Sequence, residues 1–488
     1  CSIDDPYLCS HTAMTRPMRI ALVSDFFCPN AGGVETHIYF LAQCLMKLGH
    51  KVIVITHGYG SRKGIRYLSN GLKVYYLPFA NLYNGCTLTC VVGDLPIYRW
   101  IYGREKTEIV HGHSTFSSMA HVAMFHGWQL GLRTVFTDHS LFGFADASSI
   151  LMNLLAMQYS LCQLNKAICV SYTSKENTVL RSRLDPDKVS TIPNAIQTQL
   201  FLPDPEQFYN NPTTIVYLGR LVYRKGADLL CDVIPRICAR YPQVHFVIGG
   251  DGEKRVEIEQ MLERADLQLR VRMLGMLPHD QVRNVLVQGQ IFVNTSLTEA
   301  FCTSIVEAAS CGLHVVSTRV GGVPEVLPQE YITLADPTPR ALFFALCQSI
   351  DRRENGELPD PMEKHKAIEK MYVWSDVAER TEIVYEAAMK EQRVKWGDGL
   401  RRFVEAGPGF GLVWMLATVF NMMMITLMEW SSPMESIPSG DIDWSRRHSQ
   451  RKREEKGELN QGRHREERPL PMDDRRRKAS LQCNCPFH

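Results

Sequence analysis

The chain has 488 residues, 45% of them hydrophobic and 22% charged, with a formal net charge of +2, so it is long enough for two full cores and additions to them. The positive excess is local: residues 445–488 hold 13 Lys+Arg against 7 Asp+Glu, leaving 41 against 45 elsewhere, a balance that excludes nucleic-acid binding by bulk charge. The 15 cysteines are odd in number and form no CxxC pair, which argues against a secreted disulfide framework or a zinc module.

Residues 1–17 read as an N-terminal extension without an apolar run of signal-peptide length. Short β-branched runs then alternate with helical patterns, as in parallel α/β units. The first series is MRIALVS (18–24), KVIVITH (51–57), LKVYYLP (72–78), EIVHGH (108–113), TVFTDH (134–139) and KAICVS (166–171). It defines a first Rossmann-like domain over 18–196. A Pro/Asn-rich break, FLPDPEQFYNNPT, marks a linker over 197–213. The second series is TIVYLGR (214–220), VHFVIGG (244–250), VRMLG (271–275), IFVNTS (291–296) and HVVSTR (314–319). It defines a second Rossmann-like domain over 214–365, followed by helices over 366–395 that pack back. The expected fold class is therefore α/β, with two facing Rossmann-like domains whose ligands collect beyond the carboxyl ends of the strands.

From Ala406 to Met428 there are 23 residues without a charge, enough to cross a hydrocarbon core of about 30 Å. Lys390, Arg393, Lys395, Arg401 and Arg402 precede this stretch, whereas residues 429–443 carry Glu429, Glu435, Asp441 and Asp443 and no cation. That asymmetry predicts a single-pass transmembrane helix over 406–428 with the large N-terminal part in the cytoplasm. Dense mixed charge makes 431–488 an expected disordered tail.

Three strand ends in the second series carry chemistry. Arg220 and Lys225 flank the turn LVYRKG, closed by Gly226. Two cations there suit a departing diphosphate, although a solvated basic turn has the same look. GGDGEK (249–254), with Gly250, and GGVPE (321–325) bring glycines that permit close approach of a phosphate or base. EAFCTSIVE (299–307) begins and ends with glutamate. Glu299 falls in the loop after IFVNTS and Glu307 about two turns into the next helix, so both can face one crevice and accept hydrogen bonds from vicinal hydroxyls. For Glu299 alone, a charge complementing the helix dipole is the competing reading. In the first domain, Arg62, Lys63 and Arg66 of GSRKGIRY follow KVIVITH, and they are expected to meet anionic lipid headgroups beside the cleft. A solvated basic loop is the alternative there.

Taken with EAFCTSIVE and GGVPE, the Arg220/Lys225 pair resembles the nucleotide-sugar site of retaining GT-B glycosyltransferases of the glycogen-synthase and phosphatidylinositol-mannosyltransferase kind, over roughly residues 18–390. THGYGSRKGIRYL, FTDHSLFGFAD, CVSYTSKENTVLR and GRLVYRKG are more particular. They look like the catalytic subunits that transfer N-acetylglucosamine from UDP-GlcNAc to phosphatidylinositol, the first step of GPI-anchor synthesis. The resemblance implies that Arg220 and Lys225 bind the UDP diphosphate, Glu307 the ribose and Glu299 the donor sugar. Gly32 and Gly33 would form the loop that approaches donor phosphates and acceptor, and His139 would stand near the anomeric centre. It further implies retention without a metal or other cofactor, companion subunits, and the endoplasmic reticulum membrane as location. The same fold acting on another donor or lipid, or a non-catalytic membrane scaffold, would share parts of this pattern. Gln197 in IPNAIQ departs from the family, where an Asp is common, and puts a hinge or donor contact there in doubt.

Overall fold

The computed structural model describes residues 16–441 apart from 31, 69, 84 and 142–156. The first sheet is built from β1 (Arg19–Val23), β2 (Lys51–His57), β3 (Gly64–Tyr67), β4 (Lys73–Leu77), β7 (Ile109–His113), β8 (Arg133–Asp138), β9 (Lys166–Cys169) and β10 (Val189–Thr191). Its order is β10-β9-β8-β7-β1-β2-β4-β3, and all neighbours are parallel except the edge pair β3 and β4. A separate hairpin pairs β5 (Asn81–Tyr83) with β6 (Cys86–Thr87). Strands β4 and β7 are buried at every residue, because helices cover both faces of a parallel sheet and leave no polar side for alternation to serve. Those helices include α1 (Gly33–Lys47), α2 (Leu95–Glu105), α3 (Ser118–Gln129), α4 (Gln158–Leu161) and α5 (Tyr172–Ser182).

The second sheet holds β11 (Thr214–Leu218), β12 (His245–Gly249), β13 (Val271–Gly275), β14 (Ile291–Asn294), β15 (His314–Thr318) and β16 (Ile332–Ala335), all parallel in the order β13-β12-β11-β14-β15-β16. Its helices are α6 (Pro205–Asn210), α7 (Ala227–Arg240), α8 (Arg255–Arg264), α9 (His279–Leu286), α10 (Thr303–Ser310), α11 (Pro339–Glu354) and α12 (Pro361–Met371). In each sheet the strand order reverses once, between β1 and β7 and between β11 and β14. Such a switch point opens a crevice at the carboxyl ends of the two strands involved. The segments after β1, β11 and β14 carry Gly32, Gly33, Arg220, Lys225 and Glu299, whereas His139 follows β8 and Gly250 follows β12.

Helix α13 (Trp374–Lys390) crosses back to the first sheet. Tyr385 Oη meets His111 Nδ1 at 2.7 Å, Arg380 donates to Thr191 O at 2.7 Å, and Glu382 pairs with His50 at 3.0 Å. The chain then folds into a hairpin of α14 (Trp396–Ala406) and α15 (Pro408–Ser431). At 24 residues, α15 is about 36 Å long and is apolar enough to cross a membrane. On its inner stripe Gly411 is buried against Phe403 of α14 and Asn421 against the first domain, with Thr418 buried between them, while Phe410, Val413, Leu416, Phe420, Met423, Leu427 and Trp430 face outward. Trp414 packs edge-on against Phe125 of α3 at 4.9 Å, Asn421 Nδ2 donates to Val91 O and Gln129 Oε1 at 2.7 and 3.0 Å, and Arg99 pairs with Glu429 at 2.6 Å.

Two segments differ from the sequence reading. The stretch expected as a loop over GSRKGIRY makes a turn at Tyr59–Arg62 and then runs as the antiparallel edge strand β3. In the region assigned to the tail, residues 432–441 form a 3-10 turn at Met434–Ser436 and return to the first domain, where Gly440 N donates to Arg104 O at 2.8 Å and Asp441 pairs with Arg19 and Lys51. Insertion of α15 across a bilayer would have to break that return contact. The rest of the tail lies outside the described residues.

Candidate active site

The site grows from the two switch points. After β11, the 3-10 turn Tyr223–Lys225 ends at Gly226, whose φ is +70° and where a Cβ would come 1.8 Å from Thr295 O. Only glycine satisfies both conditions, and the result is that the β11 loop lies directly on the β14 loop. Thr295 Oγ1 donates to Lys225 O at 2.8 Å and Leu297 N to Arg224 O at 2.9 Å. This docking brings Lys225 Nζ onto the Glu299 carboxylate, which also accepts from Ser296 Oγ at 2.7 Å. Burial pulls the Lys225 ammonium down, but the adjacent Glu299 outweighs it and holds the lysine above its ordinary range. Arg220 is exposed and has no ion-pair partner among the described residues, so its guanidinium remains open to an anion.

Glu307 lies on α10, which begins at Thr303, so it stands just over one turn into the helix rather than two. It is half-buried with no ion-pair partner among the described residues, and burial pushes its carboxyl up to about 7.

The two glycine loops work differently from expectation. Gly250, at φ +129°, would put a Cβ 1.9 Å from Gly219 O, and its N–H is committed to Gly275 O at 2.7 Å. What it supplies is close approach of the β11 and β12 loops, not an amide donor for a phosphate. In GGVPE, Gly322 N donates to Glu299 O at 3.0 Å, fixing the backbone at that glutamate. Glu325 then reaches the first domain, accepting from Tyr172 N, Thr173 N and Thr173 Oγ1 at 2.6, 2.9 and 2.7 Å. It caps the first turn of α5 across the cleft, a role for which its sequence context carried no signal.

On the facing side, Gly32 is the residue before α1 and Gly33 its first residue. A Cβ on Gly32 would meet Glu35 Oε2 at 2.5 Å, so the Glu35 side chain folds back over this loop. Burial raises the Glu35 carboxyl, and Arg220 from the second domain offsets part of that rise. Glu35 thus links the two loops electrostatically, and the sequence reading passed over it inside GGVE.

His139 follows β8 directly and joins His37 of α1 and His113 at the end of β7. His113 Nδ1 and His139 Nε2 are 3.3 Å apart, and His37 Nδ1 lies 2.9 Å from Asn194 Oδ1. Burial and mutual repulsion keep His113 and His139 well below the usual imidazole range, and burial brings His37 to about 4. All three rings are therefore neutral at neutral pH. They are the one group among the described residues with the spacing to hold a metal ion, their ligand atoms lying within 4.8 Å of one another. The neighbouring Asp138 is fixed by Thr115, Thr178 and Ser140 N at 2.8, 2.9 and 3.0 Å, with Arg181 at 3.8 Å. This network holds the backbone from which His139 projects.

The three basic residues of GSRKGIRY separate. Arg62 is half-buried and donates to Cys28 Sγ at 3.3 Å beside the loop after β1, next to Tyr59, which donates to Asp25 O at 2.6 Å. Lys63 and Arg66 are exposed, Arg66 on the edge strand β3. Of FTDHSLFGFAD, residues 142–146 lie outside the described residues.

Two family models match this chain: PIGA (GPI anchor biosynthesis) over residues 57–146 and glycosyl transferases group 1 over 199–345. Among curated proteins, the PIG-A subunit of the phosphatidylinositol N-acetylglucosaminyltransferase of Homo sapiens is 52% identical over 91% of this chain and 93% of its own length. The Arabidopsis thaliana protein of the same name is 52% identical over 86% and 93%, and the gpi3 subunit of Schizosaccharomyces pombe 48% over 85% and 91%. In fold, the chain is similar to sucrose-phosphate synthase from Thermosynechococcus elongatus, with TM-score 0.61 and 20% identity over 76% of this chain and 99% of that one. It is similar also to Anabaena HepE crystallised with UDP and glucose, with TM-score 0.60 and 17% identity over 76% and 99%. The two facing sheets are thus a GT-B fold.

Proposed function

The chain belongs to the PIG-A family of phosphatidylinositol N-acetylglucosaminyltransferase subunits, and from that premise we propose that it transfers N-acetylglucosamine from UDP-GlcNAc to phosphatidylinositol with retention, the first step of GPI-anchor biosynthesis. It does so as the catalytic member of a multi-subunit transferase at the endoplasmic reticulum membrane. The observation that carries this reading is the ordered meeting of Lys225 and Glu299 at the switch point of the second sheet, with Arg220 open beside them.

In the proposed reaction, the donor diphosphate settles on Arg220 and Lys225, drawing the ammonium away from Glu299. Glu299 is then free to accept from sugar hydroxyls, and Glu307 accepts from the ribose. The bond from the anomeric carbon to the β-phosphate oxygen breaks as that oxygen gains charge, which the two cations offset. An inositol hydroxyl forms the new bond from the same face, and its proton passes to the departing phosphate. His139, neutral, can donate to the sugar or accept from it but brings no competing charge. Gly32, Gly33 and Arg62 border the acceptor side, and Lys63 and Arg66 stand outside it as candidates for headgroup contact.

No metal enters this scheme, since the two cations neutralise the diphosphate. We assign α15 as the membrane helix and, from the cations that precede it, the catalytic domains to the cytoplasmic face. Calorimetry on the purified full-length protein tests the donor assignment: UDP binds, GDP at the same concentration does not, and EDTA leaves the UDP affinity unchanged. Equal binding of the two nucleotides, or loss of UDP binding in EDTA, would refute it.

A further inference from the structure

Four imidazoles gather near the carboxyl edge of the first sheet: His111 and His113 on β7, His139 just after β8, and His37 in the second turn of α1. Their hydrogen bonds divide them. His111 has both nitrogens taken by hydroxyls, Tyr385 Oη at Nδ1 and Thr137 Oγ1 at Nε2, each at 2.7 Å. It is therefore a fixed part of the core. The other three keep nitrogens in reserve. His37 uses only Nδ1, on Asn194 Oδ1 at 2.9 Å, while His113 Nδ1 and His139 Nε2 meet each other at 3.3 Å and His113 Nε2 has no partner.

The spacing of these three rings is that of a ligand set. An ion bound tetrahedrally at about 2.0–2.1 Å from each nitrogen separates its ligand atoms by about 3.3 Å, the distance at which His113 and His139 already stand. The ligand atoms of all three lie within 4.8 Å of one another, with ring centroids 4.6 to 5.6 Å apart, so a small turn of the His37 ring closes the set. Because an amide oxygen can only accept, Asn194 holds the His37 proton on Nδ1 and leaves Nε2 as a lone pair, the usual outer support of a metal-binding imidazole. Burial keeps the rings neutral, the form that binds metal. His37 and His113 are buried and His139 is half-buried, which gives an ion and one water a way in. Three nitrogens without a carboxylate suit Zn²⁺, Co²⁺, Ni²⁺ or Cu²⁺ and not Mg²⁺, Ca²⁺ or Mn²⁺.

We propose that His37, His113 and His139 form a three-imidazole site for Zn²⁺ or a like transition ion, with water in the fourth position, and that an ion bound there blocks transfer by withdrawing the His139 ring from the cleft. The ion is an inhibitor in this account and not a cofactor, since the diphosphate is met by Arg220 and Lys225 of the other domain. Binding rests on the geometry of the three rings alone. The block rests in addition on the place given to His139 in the proposed reaction, and the two are tested apart.

Co²⁺ titrated into the purified full-length protein reports the site through the intense visible bands of a four-coordinate complex. One equivalent should bind, equimolar Zn²⁺ should bleach the bands, and millimolar Mg²⁺ should leave them. His37→Ala and His113→Ala should each abolish them, whereas His279→Ala, in the second domain, should keep them. Asn194→Leu, which removes only the group orienting His37, should weaken Co²⁺ binding about tenfold or more, and it decides the matter where an alanine variant does not fold. In microsomes carrying the companion subunits, micromolar free Zn²⁺ should suppress transfer and EDTA restore it, and the transfer retained by Asn194→Leu should need about tenfold more Zn²⁺ to suppress. Absence of the bands, bands that survive in a folded His37→Ala or His113→Ala protein, or unchanged Co²⁺ affinity in Asn194→Leu would overturn the site. Undiminished transfer by zinc-loaded protein would overturn the block, while a failure of UDP to bind would fall on the donor assignment and leave the Co²⁺ result to stand or fall by itself.

Discussion

Replacing Glu307 with glutamine should make the protein more stable and a poorer nucleotide binder at once. The Glu307 carboxyl stands at about 7 in the folded chain against an ordinary 4.5, and burial is the cause. Between those values the native state holds a proton that the unfolded state has released. Stability therefore falls as pH rises through this window and stays lower above it. At about 1.4 kcal/mol per pH unit, the gap amounts to roughly 3 kcal/mol, reduced to about 2 because the side chain is half-buried and partly solvated. Glutamine keeps the shape without the charge. Glu307→Gln should thus raise Tm by several degrees at pH 8, at about 2–4 °C per kcal/mol for a large domain, and leave it unchanged at pH 4.5. The same substitution should weaken UDP binding about tenfold, since a carboxylate accepting ribose hydroxyls is replaced by a weaker acceptor. Differential scanning fluorimetry across pH, with and without UDP, reads both effects. Equal Tm for the two proteins at pH 8 would refute the claim that a desolvated carboxylate is held there for the nucleotide.

Lys225→Ala and Arg220→Ala should each slow transfer about a hundredfold, near 3 kcal/mol of barrier, with circular dichroism unchanged; near-normal turnover of both at saturating donor would remove the diphosphate from this loop. Protease added to sealed microsomes should digest epitopes placed within residues 18–390, and protection of those epitopes would reverse the cytoplasmic assignment made from the cations before α15.

Long β-branched runs make the two sheets readable in the sequence, because strands buried on both faces leave continuous apolar stretches with little ambiguity. Edge elements escaped: GSRKGIRY carries three cations and two glycines, and only its pairing with the solid strand β4 makes Gly64–Tyr67 a strand. At the candidate site, Arg220, Lys225 and Glu299 stood out as charges just after a strand, and Glu307 as a charge in an apolar helix. Glu325 did not, because it acts on a helix start more than 150 residues away in sequence. Gly250 drew notice as a glycine that would admit a phosphate or base, but the direction of its N–H, onto Gly275 O, is a property of register with β13 that no local pattern encodes. The return of residues 432–441 to Arg19, Lys51 and Arg104 was hidden for a similar reason: a short polar stretch after an apolar helix reads as tail until its partners are in view.

The proposed activity of the Lys225–Glu299 site is transfer of a UDP-activated N-acetylglucosamine to phosphatidylinositol. Microsomes of cells lacking their own PIG-A homologue, supplied with this chain and the companion subunits, can be given radiolabelled UDP-GlcNAc, UDP-glucose or GDP-mannose in parallel. Label should enter a phosphatidylinositol product from UDP-GlcNAc alone and vanish with Lys225→Ala; label from GDP-mannose, or undiminished label with the lysine removed, would contradict the account.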